Sequence, residues 1–223
     1  MSSLVFYPNV HYVGGVFVPY KSIYEVATDS FIVDKSEFIG IIAPVKTNEE
    51  AVAFIESVKA NHRKARHNCY AYVLRNDNIT RYSDDGEPQG TAGPPILDVI
   101  TKNGLTDVCV VVTRYFGGIL LGKGGLTRAY SQGAAIAVNA ARIMNMCEGY
   151  ELTLTVDYAL YDKVSYILPD YEIKLLDTDY GADVKVRLLV REELYQALEE
   201  KLVDITNARI AIVKSDKLYA DFA

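Results

Sequence analysis

The sequence predicts a two-domain protein of the mixed α+β or α/β class. Stretches with helical and strand periodicity alternate along most of the 223 residues. Half of the residues are apolar and 23% are charged, a composition that can bury a core. The alternation restarts after residue 142, where the charge balance also changes. We therefore expect an N-terminal extension over 1–20, a first domain over 21–145 and a second domain over 146–223.

Strands and a capped helix open the first domain. Residues 31–43 are apolar except for a polar tetrapeptide, which predicts two strands or one bent strand. The segment Thr47–Glu50 has the pattern of a capping box and predicts that a helix follows. Residues 69–74 predict a strand, and 79–82 predict its hairpin partner across a turn at Asn76–Asn78.

Two helices and a buried strand complete the first domain. A proline pair predicts a short helix over 95–102, because proline suits the first helical turn. The β-branched run 108–112 is typical of a strand covered on both faces. A helix over 126–142 follows a glycine-rich stretch. Its small residues would permit close packing: Gly133, Ala134, Ala137, Ala140 and Ala141.

The second domain begins with a one-sided strand over 150–158, in which apolar and polar residues alternate. A helix is predicted over 160–168, and a second helix is marked by Leu194, Leu198 and Leu202 on one face. Further strands are predicted over 171–177, 183–190 and 208–216. The order β-α-β-β-α-β is that of a small ferredoxin-like domain.

Charge is distributed unevenly between the two parts of the chain. Residues 1–142 contain 14 Lys and Arg against 13 Asp and Glu, whereas residues 143–223 contain 9 against 16. The first part can therefore accept a polyanion locally, while the acidic second part repels one. Cys69, Cys109 and Cys147 are widely spaced and form no CxxC pair, which favours a reducing compartment. With no secretory signal or membrane-length apolar run recognised, we predict a cytoplasmic protein.

The most informative stretch is rich in glycine and lies between a predicted strand and a predicted helix. It holds five of the 15 glycines, whose ordering requires unusual backbone dihedrals or a close backbone approach. Backbone amides at a helix start, flanked by cations, bind anions such as phosphate. The candidate anion or nucleic-acid site comprises Arg114, Tyr115, Gly117, Gly118, Gly122, Lys123, Gly124, Gly125 and Arg128.

Other interpretations of this stretch stay open. Gly117 to Lys123 fits the start of a phosphate-binding P-loop, but Gly124 stands where that loop needs Ser or Thr for Mg²⁺. A nucleoside triphosphatase is therefore disfavoured relative to an anion site for nucleic acid or a nucleotide. The other alternative is a tight crossover whose glycines only permit close packing.

The densest positive cluster lies at the end of the first predicted helix. If it lies beside the glycine-rich stretch, the two would form a surface that follows phosphates. Nearby aromatic side chains would then offer stacking faces, although core packing is the favoured interpretation for Phe116. The cluster consists of His62, Arg63, Lys64, Arg66 and His67, and the aromatics are Tyr70, Tyr72, Tyr82, Tyr115 and Phe116.

Asp84, Asp85 and Glu87 form an acidic loop of uncertain role. Their oxygens would suit a hard cation, but turn bonds or pairing with an arginine are the favoured interpretation. His67 and Cys69 share a strand face, but nothing locates a group that would activate the thiol, so a packed thiol is favoured. We predict no metal, no cofactor and no catalytic residue.

Four long, ungapped segments carry a family resemblance: His67–Tyr72, Ser83–Gly93, Val111–Gly118 and Leu121–Tyr130. In these segments the chain resembles the IMPACT/YigZ family. The resemblance runs from about Ser22 to Arg142 and continues more weakly through the second domain. It implies a ribosomal-protein-like β-α fold for the first domain. It also implies a second domain similar to the last domain of elongation factor G.

The resemblance implies a role in translation as well, because eukaryotic members interfere with activation of an initiation-factor kinase. We predict a non-catalytic protein that binds nucleic acid, chiefly RNA, or a ribosome or translation component, and that regulates translation or a stress response. The second domain is expected to offer a surface to a protein partner, and no membrane is expected as a partner. One alternative is an enzyme that acts on a phosphorylated small molecule or nucleotide through the glycine-rich stretch and the acidic loop. The other is a pure protein-interaction module.

Overall fold

The computed structural model describes residues 19–75 and 78–222, which divide into two compact units after Met144. We call residues 20–144 the N-terminal unit and residues 145–222 the C-terminal unit. The described residues form a mixed α+β structure with antiparallel sheets and five α-helices. Most of the expected extension over 1–20, and two residues of the expected Asn76–Asn78 turn, lie outside the described residues.

The N-terminal unit is built on a five-stranded sheet with the strand order β2-β3-β6-β4-β5, in which all neighbours are antiparallel. Its elements are β1 (Tyr20–Ile23), β2 (Ala27–Val33), β3 (Ser36–Pro44), α1 (Asn48–Asn61), β4 (His67–Leu74), β5 (Ile79–Ser83), α2 (Gly93–Lys102), β6 (Val108–Tyr115) and α3 (Gly122–Ala140). Strand β6 lies in the middle and is buried from 108 to 114. The prediction of a strand covered on both faces is therefore confirmed.

Helices cover both faces of this sheet. Helix α1 packs on one face through Ala51, Ile55 and Val58, while α2 and α3 pack on the other. The approach of α3 is close, because a Cβ on Gly40 would overlap the carbonyl of Gly133. The close packing predicted for the small residues of α3 is confirmed at that position.

Local signals set the boundaries of several elements. Thr47 Oγ1 accepts a hydrogen bond of 3.2 Å from the Glu50 amide, as a capping box predicts. The Glu50 carboxylate instead accepts from the Lys46 amide, at 2.6 Å, one residue before the cap. The two-strand alternative for the early apolar stretch is confirmed, since β2 and β3 meet at a turn where Asp34 and Lys35 have φ of 45° and 61°.

The C-terminal unit contains most of β7 and all of the later elements. They are β7 (Ile143–Val156), α4 (Tyr158–Ile167), a 3-10 helix (Leu168–Tyr171), β8 (Lys174–Tyr180), β9 (Val184–Arg191), α5 (Glu192–Thr206), β10 (Ala211–Lys214) and β11 (Leu218–Asp221). Strand β9 lies between β7 and β8, while β10 and β11 pair with β7, all antiparallel. Strand β11 was not predicted, and β7 starts earlier than the predicted residue 150.

The apolar face of the C-terminal sheet is covered by α4 and α5, whose Leu160, Val164, Leu198 and Leu202 are buried. Among the described residues, the helices all fall short of the length and apolar character that a membrane crossing requires.

Candidate nucleic-acid interface

The glycine-rich segment, residues 117–125, is only partly a loop. Strand β6 ends at Tyr115 and α3 begins at Gly122, so the last glycines of the segment lie in the first helical turn. The helix therefore starts before the predicted residue 126. Among the described residues, no side-chain hydrogen bond caps this end. The first N–H groups of α3 lack intrahelical partners, and Lys123 and Arg128 in the first turns are exposed.

The glycines of this segment lie in different structural environments. A Cβ on Gly117 would overlap the backbone of Lys35 and Ser36, and the Gly117 amide donates to Ser36 Oγ at 3.1 Å. Gly117 is therefore a packing glycine. By contrast, Gly118 and Gly122 have φ of +86° and +67°, and a Cβ on either would meet no atom within 4 Å. Gly124 is similarly open, because its Cβ would meet only Arg128 Nη1, at 3.7 Å.

Sheet pairing brings the basic run beside the start of the glycine-rich segment. His67 on β4 is paired with Arg114 on β6, and the Arg66 amide donates to the Arg114 carbonyl at 3.1 Å. One turn earlier, His62 Nδ1 and the Tyr115 hydroxyl form a hydrogen bond of 2.9 Å. The juxtaposition that the sequence left conditional is thus present for Arg66, Arg114 and Tyr115.

An aromatic ring lies at this junction. Phe116 follows β6 directly and is 37% exposed, so the favoured core interpretation of this residue is wrong. The guanidinium carbons of Arg66 and Arg114 lie 5.5 Å and 5.4 Å from the centroid of its ring. Both distances are within the range of a cation–π contact. We call Arg63, Lys64, Arg66 and Phe116 the basic edge.

The cations of the basic edge and of α3 are exposed. Within the described part of the chain, no carboxylate lies at ion-pair distance from any of them. Such charges remain available to an anionic partner. The side chains concerned are Arg63, Lys64, Arg66, Lys123 and Arg128.

Arg114 is different, and the expectation that it offers free charge requires correction. The residue is 5% exposed, and its Nη1 donates to Glu87 Oε1 at 2.7 Å. Its Nε is also buried, without a hydrogen-bond partner among the described residues. A buried guanidinium paired with a carboxylate is part of the interior of the unit and is not available to contact a polymer.

Glu87 is the centre of this buried network. Besides Arg114, its Oε1 accepts a hydrogen bond of 2.8 Å from the Tyr130 hydroxyl and lies 3.9 Å from His67 Nε2. The Nδ1–H of His67 donates to the Asp85 carbonyl at 2.7 Å, which orients the ring toward Glu87. Burial raises the pKa of Tyr130 above its usual range, so its hydroxyl stays a donor. No sequence signal indicates the role of Tyr130, which is 43 residues away from Glu87.

The aspartates of the acidic loop bond to backbone amides. The Asp84 carboxylate accepts from the amides of Gly90, Ala92 and Gly93 at 2.8 to 2.9 Å. Asp85 Oδ2 accepts from the Asn68 amide at 2.7 Å. The favoured interpretation of turn chemistry is confirmed, and the arginine partner proves to belong to Glu87 rather than to an aspartate. No group of three His, Cys, Asp or Glu in the described ranges is arranged to hold a metal ion.

Cys69 lies beneath the acidic loop as a packed thiol. Its side chain is buried, and its Sγ donates to the Asp84 carbonyl at 3.0 Å. Burial raises the pKa of this thiol well above the usual value, which opposes formation of a nucleophilic thiolate. The favoured interpretation of the His67 and Cys69 pair as structural is confirmed. Cys109 is likewise a buried core residue on β6.

The fold and this surface define a class: a two-unit α+β protein whose N-terminal unit has an exposed basic and aromatic edge. The Impact N-terminal domain matches residues 34–138, and a domain of unknown function, DUF1949, matches residues 154–209. The IMPACT family member YvyE of Bacillus subtilis is 36% identical over 205 residues, covering 92% of this chain and 94% of YvyE. The chain belongs to the IMPACT family, as the sequence segments predict.

Two further matches extend along most of the chain. The IMPACT family member YigZ of Escherichia coli is 35% identical over 184 residues, covering 81% of this chain and 90% of YigZ. A crystal structure described as that of a hypothetical protein matches with a TM-score of 0.56 and 32% identity, covering 89% of this chain and 98% of that one. The family relationship therefore includes both units.

Proposed function

We propose that the N-terminal unit binds RNA, free or as part of a ribosome or translation component, and that the protein acts by binding rather than by catalysis. The basic edge would contact phosphates, and the amino end of α3 would add Lys123, Arg128 and its first backbone amides, which lack intrahelical partners. Regulation of translation or of a stress response would follow from occupancy of the RNA. This proposal rests on the physical character of the surface together with the family expectation.

One observation carries the proposal. The Arg66 amide bonds to the Arg114 carbonyl, and the Arg66 guanidinium lies 5.5 Å from the Phe116 ring. The end of the basic run and the start of the glycine-rich segment therefore meet at the same end of the paired strands β4 and β6. Polyphosphates bind where uncompensated cations are grouped, because each phosphate contact releases a condensed counterion.

The experiment compares two variants of equal charge change. Arg63→Ala/Arg66→Ala removes two exposed cations from the basic edge, and the control Arg81→Ala/Lys102→Ala removes two exposed cations from β5 and α2. We expect the first variant to weaken binding of single-stranded RNA and to reduce the slope of log K against log salt by about 1.4, from about 0.7 per phosphate contact. The control should leave both quantities near those of the wild type. Equal affinities and slopes for the two variants would reject the proposal.

A second pair of substitutions tests the amino end of α3. Lys123→Ala/Arg128→Ala removes the two exposed cations of the first turns of this helix. If these residues contact phosphates, their loss should reduce the salt slope by a similar amount. An unchanged slope would confine the site to the basic edge.

The acidic loop gives little support to the alternative of an enzyme acting on a phosphorylated small molecule. That reaction would need metal ligands from the loop, but the three carboxylates bond to backbone amides, Arg114 and Tyr130. Two cavities have volumes of about 300 Å³ beside Leu105 and about 430 Å³ beside Tyr166. Their lining residues belong neither to the acidic loop nor to the glycine-rich segment, so these cavities do not join the two.

The third class, a protein-interaction module, has one specific observation in its favour. Leu120 in the glycine-rich segment is 88% exposed, and Ile119 is 41% exposed. Exposed apolar side chains of this kind suit a protein contact. In this alternative Leu120→Ser would abolish binding of a partner protein and leave the RNA affinity unchanged. Substitution of the cations of the basic edge would leave binding of the partner protein unchanged.

A further inference from the structure

We propose that the Phe116 ring is a stacking platform for one unpaired base, so that the RNA bound by the basic edge is single-stranded. This inference rests on the proposed function and names the form of RNA that the surface accepts. Its basis is an exposed aromatic side chain that lies between two anchored backbone residues and beside Arg66, which has no carboxylate at ion-pair distance in the described part of the chain.

The exposure of Phe116 is not explained by the core. The ring is 37% exposed, although the strand that leads into it is buried from 108 to 114. Leaving apolar ring area in water is unfavourable, at roughly 25 cal/mol for each Å². A base that stacks on the ring would cover this area.

The backbone on both sides of Phe116 is fixed. On one side the Tyr115 hydroxyl bonds to His62 Nδ1 at 2.9 Å, which ties the end of β6 to the end of α1. On the other side Gly117 packs against the turn between β2 and β3, and its amide bonds to the buried Ser36 hydroxyl at 3.1 Å. A side chain on a backbone held in this way has less conformational freedom to lose when a ligand stacks on it.

The two guanidinium groups near the ring have different freedom. Arg114 is held by Glu87 inside the unit, whereas Arg66 is exposed and has no carboxylate at ion-pair distance among the described residues. Arg66 can therefore contact the phosphate beside a stacked base while it stays near the ring. The space beside Gly118 is open, since a Cβ at that position would meet no atom within 4 Å.

This combination of cations and one aromatic face favours single strands. Stacking of a base on an aromatic side chain contributes about 1–3 kcal/mol and tolerates any sequence, because every base has a π face. In a duplex those faces are covered by neighbouring bases. The basic edge alone would bind both forms through phosphates, so the ring supplies the discrimination.

The experiment measures binding of labelled oligouridine and of a duplex RNA of the same length to wild-type protein, Phe116→Leu, Phe116→Trp and the control Tyr166→Leu. Tyr166 is an aromatic side chain on α4 that is 82% exposed. We expect Phe116→Leu to weaken single-strand binding by about 5- to 150-fold and to leave duplex binding and the salt slope unchanged. Phe116→Trp should retain the wild-type affinity, and Tyr166→Leu should have no effect.

The outcomes separate this inference from the proposed function. If wild-type protein binds neither RNA at low salt, the proposed function and the inference both fail. If Phe116→Leu binds oligouridine as tightly as the wild type does, or weakens both RNAs equally, the stacking platform is rejected while RNA binding stands. Photocrosslinking of thiouridine-substituted oligouridine to the wild type provides a test that needs no variant. Adducts on the peptide that contains Phe116 would support the platform, and adducts only elsewhere would reject it.

Discussion

The acidic loop and the glycine-rich segment lie in the same unit and use charge in opposite ways. The carboxylates of Asp84, Asp85 and Glu87 all bond to groups of the protein itself. Lys123 and Arg128 at the glycine-rich segment have no such partner within the described ranges. Buried polar groups need hydrogen bonds inside the protein, and a charged side chain that makes them is not available to a ligand. A charged residue is therefore weak evidence of a binding site until its partners are known.

The largest effect is expected at the centre of the buried network. Glu87→Gln leaves Arg114 as a buried charge without a counterion, in a pair whose side chains are 4% and 6% exposed. We expect the free energy of unfolding to fall by about 3–5 kcal/mol, measured by chemical denaturation. Glu25→Gln, at an exposed position, should change it by less than about 0.5 kcal/mol. A similar small loss for both variants would show that the acidic loop is not structural.

The next effect is expected at Gly117, the glycine that contacts the backbone of the β2–β3 turn. Gly117→Ala would force the added methyl group into Lys35 and Ser36, which cannot yield as a flexible side chain could. We expect a loss of about 2–3 kcal/mol in the free energy of unfolding, the upper part of the range for overpacking. An unchanged denaturation midpoint would mean that the glycine-rich segment can move away from the turn.

A smaller loss is expected at Asp84. In Asp84→Asn, one amide oxygen replaces a carboxylate that accepts from three backbone amides, and we expect a loss of about 2 kcal/mol in the free energy of unfolding.

The raised pKa of the Cys69 thiol means that little thiolate forms at about pH 8, so native Cys69 should resist iodoacetamide. Mass spectrometry should find faster alkylation of Cys69 in Asp84→Asn, with Cys109 still protected. Equal protection of Cys69 in both proteins would contradict the structural role of the loop.

The smallest effect, of opposite sign, is expected at Gly124. This residue is in the first turn of α3, and an added Cβ would meet only Arg128 Nη1, at 3.7 Å. Because alanine has less backbone freedom to lose than glycine, Gly124→Ala should stabilise the protein by up to about 0.5–1 kcal/mol. The thermal unfolding midpoint should thus fall in Gly117→Ala and rise in Gly124→Ala, relative to the wild type. A shared loss of stability would mean that both glycines are packing residues.

Local features of the fold were predictable from the sequence. The cap at Thr47 depends on residues three apart, and the β-branched run of β6 indicates burial wherever the strand is placed. Boundaries were less predictable where a signal was ambiguous. The start of α3 is one example, because a run of glycines weakens every helical signal although Gly122–Gly125 are helical.

The sequence by itself determined the family, the alternation of elements and the residue types that carry charge near the glycine-rich segment. Only the tertiary structure decided which of those charges remain free. Arg114 and Arg66 look equivalent in the sequence, yet strand pairing and Glu87 bury the first and leave the second exposed beside Phe116. The physical reason is that burial and ion pairing depend on groups distant in sequence, such as Glu87, Tyr130 and Ser36, which only the folded sheet and helices bring together.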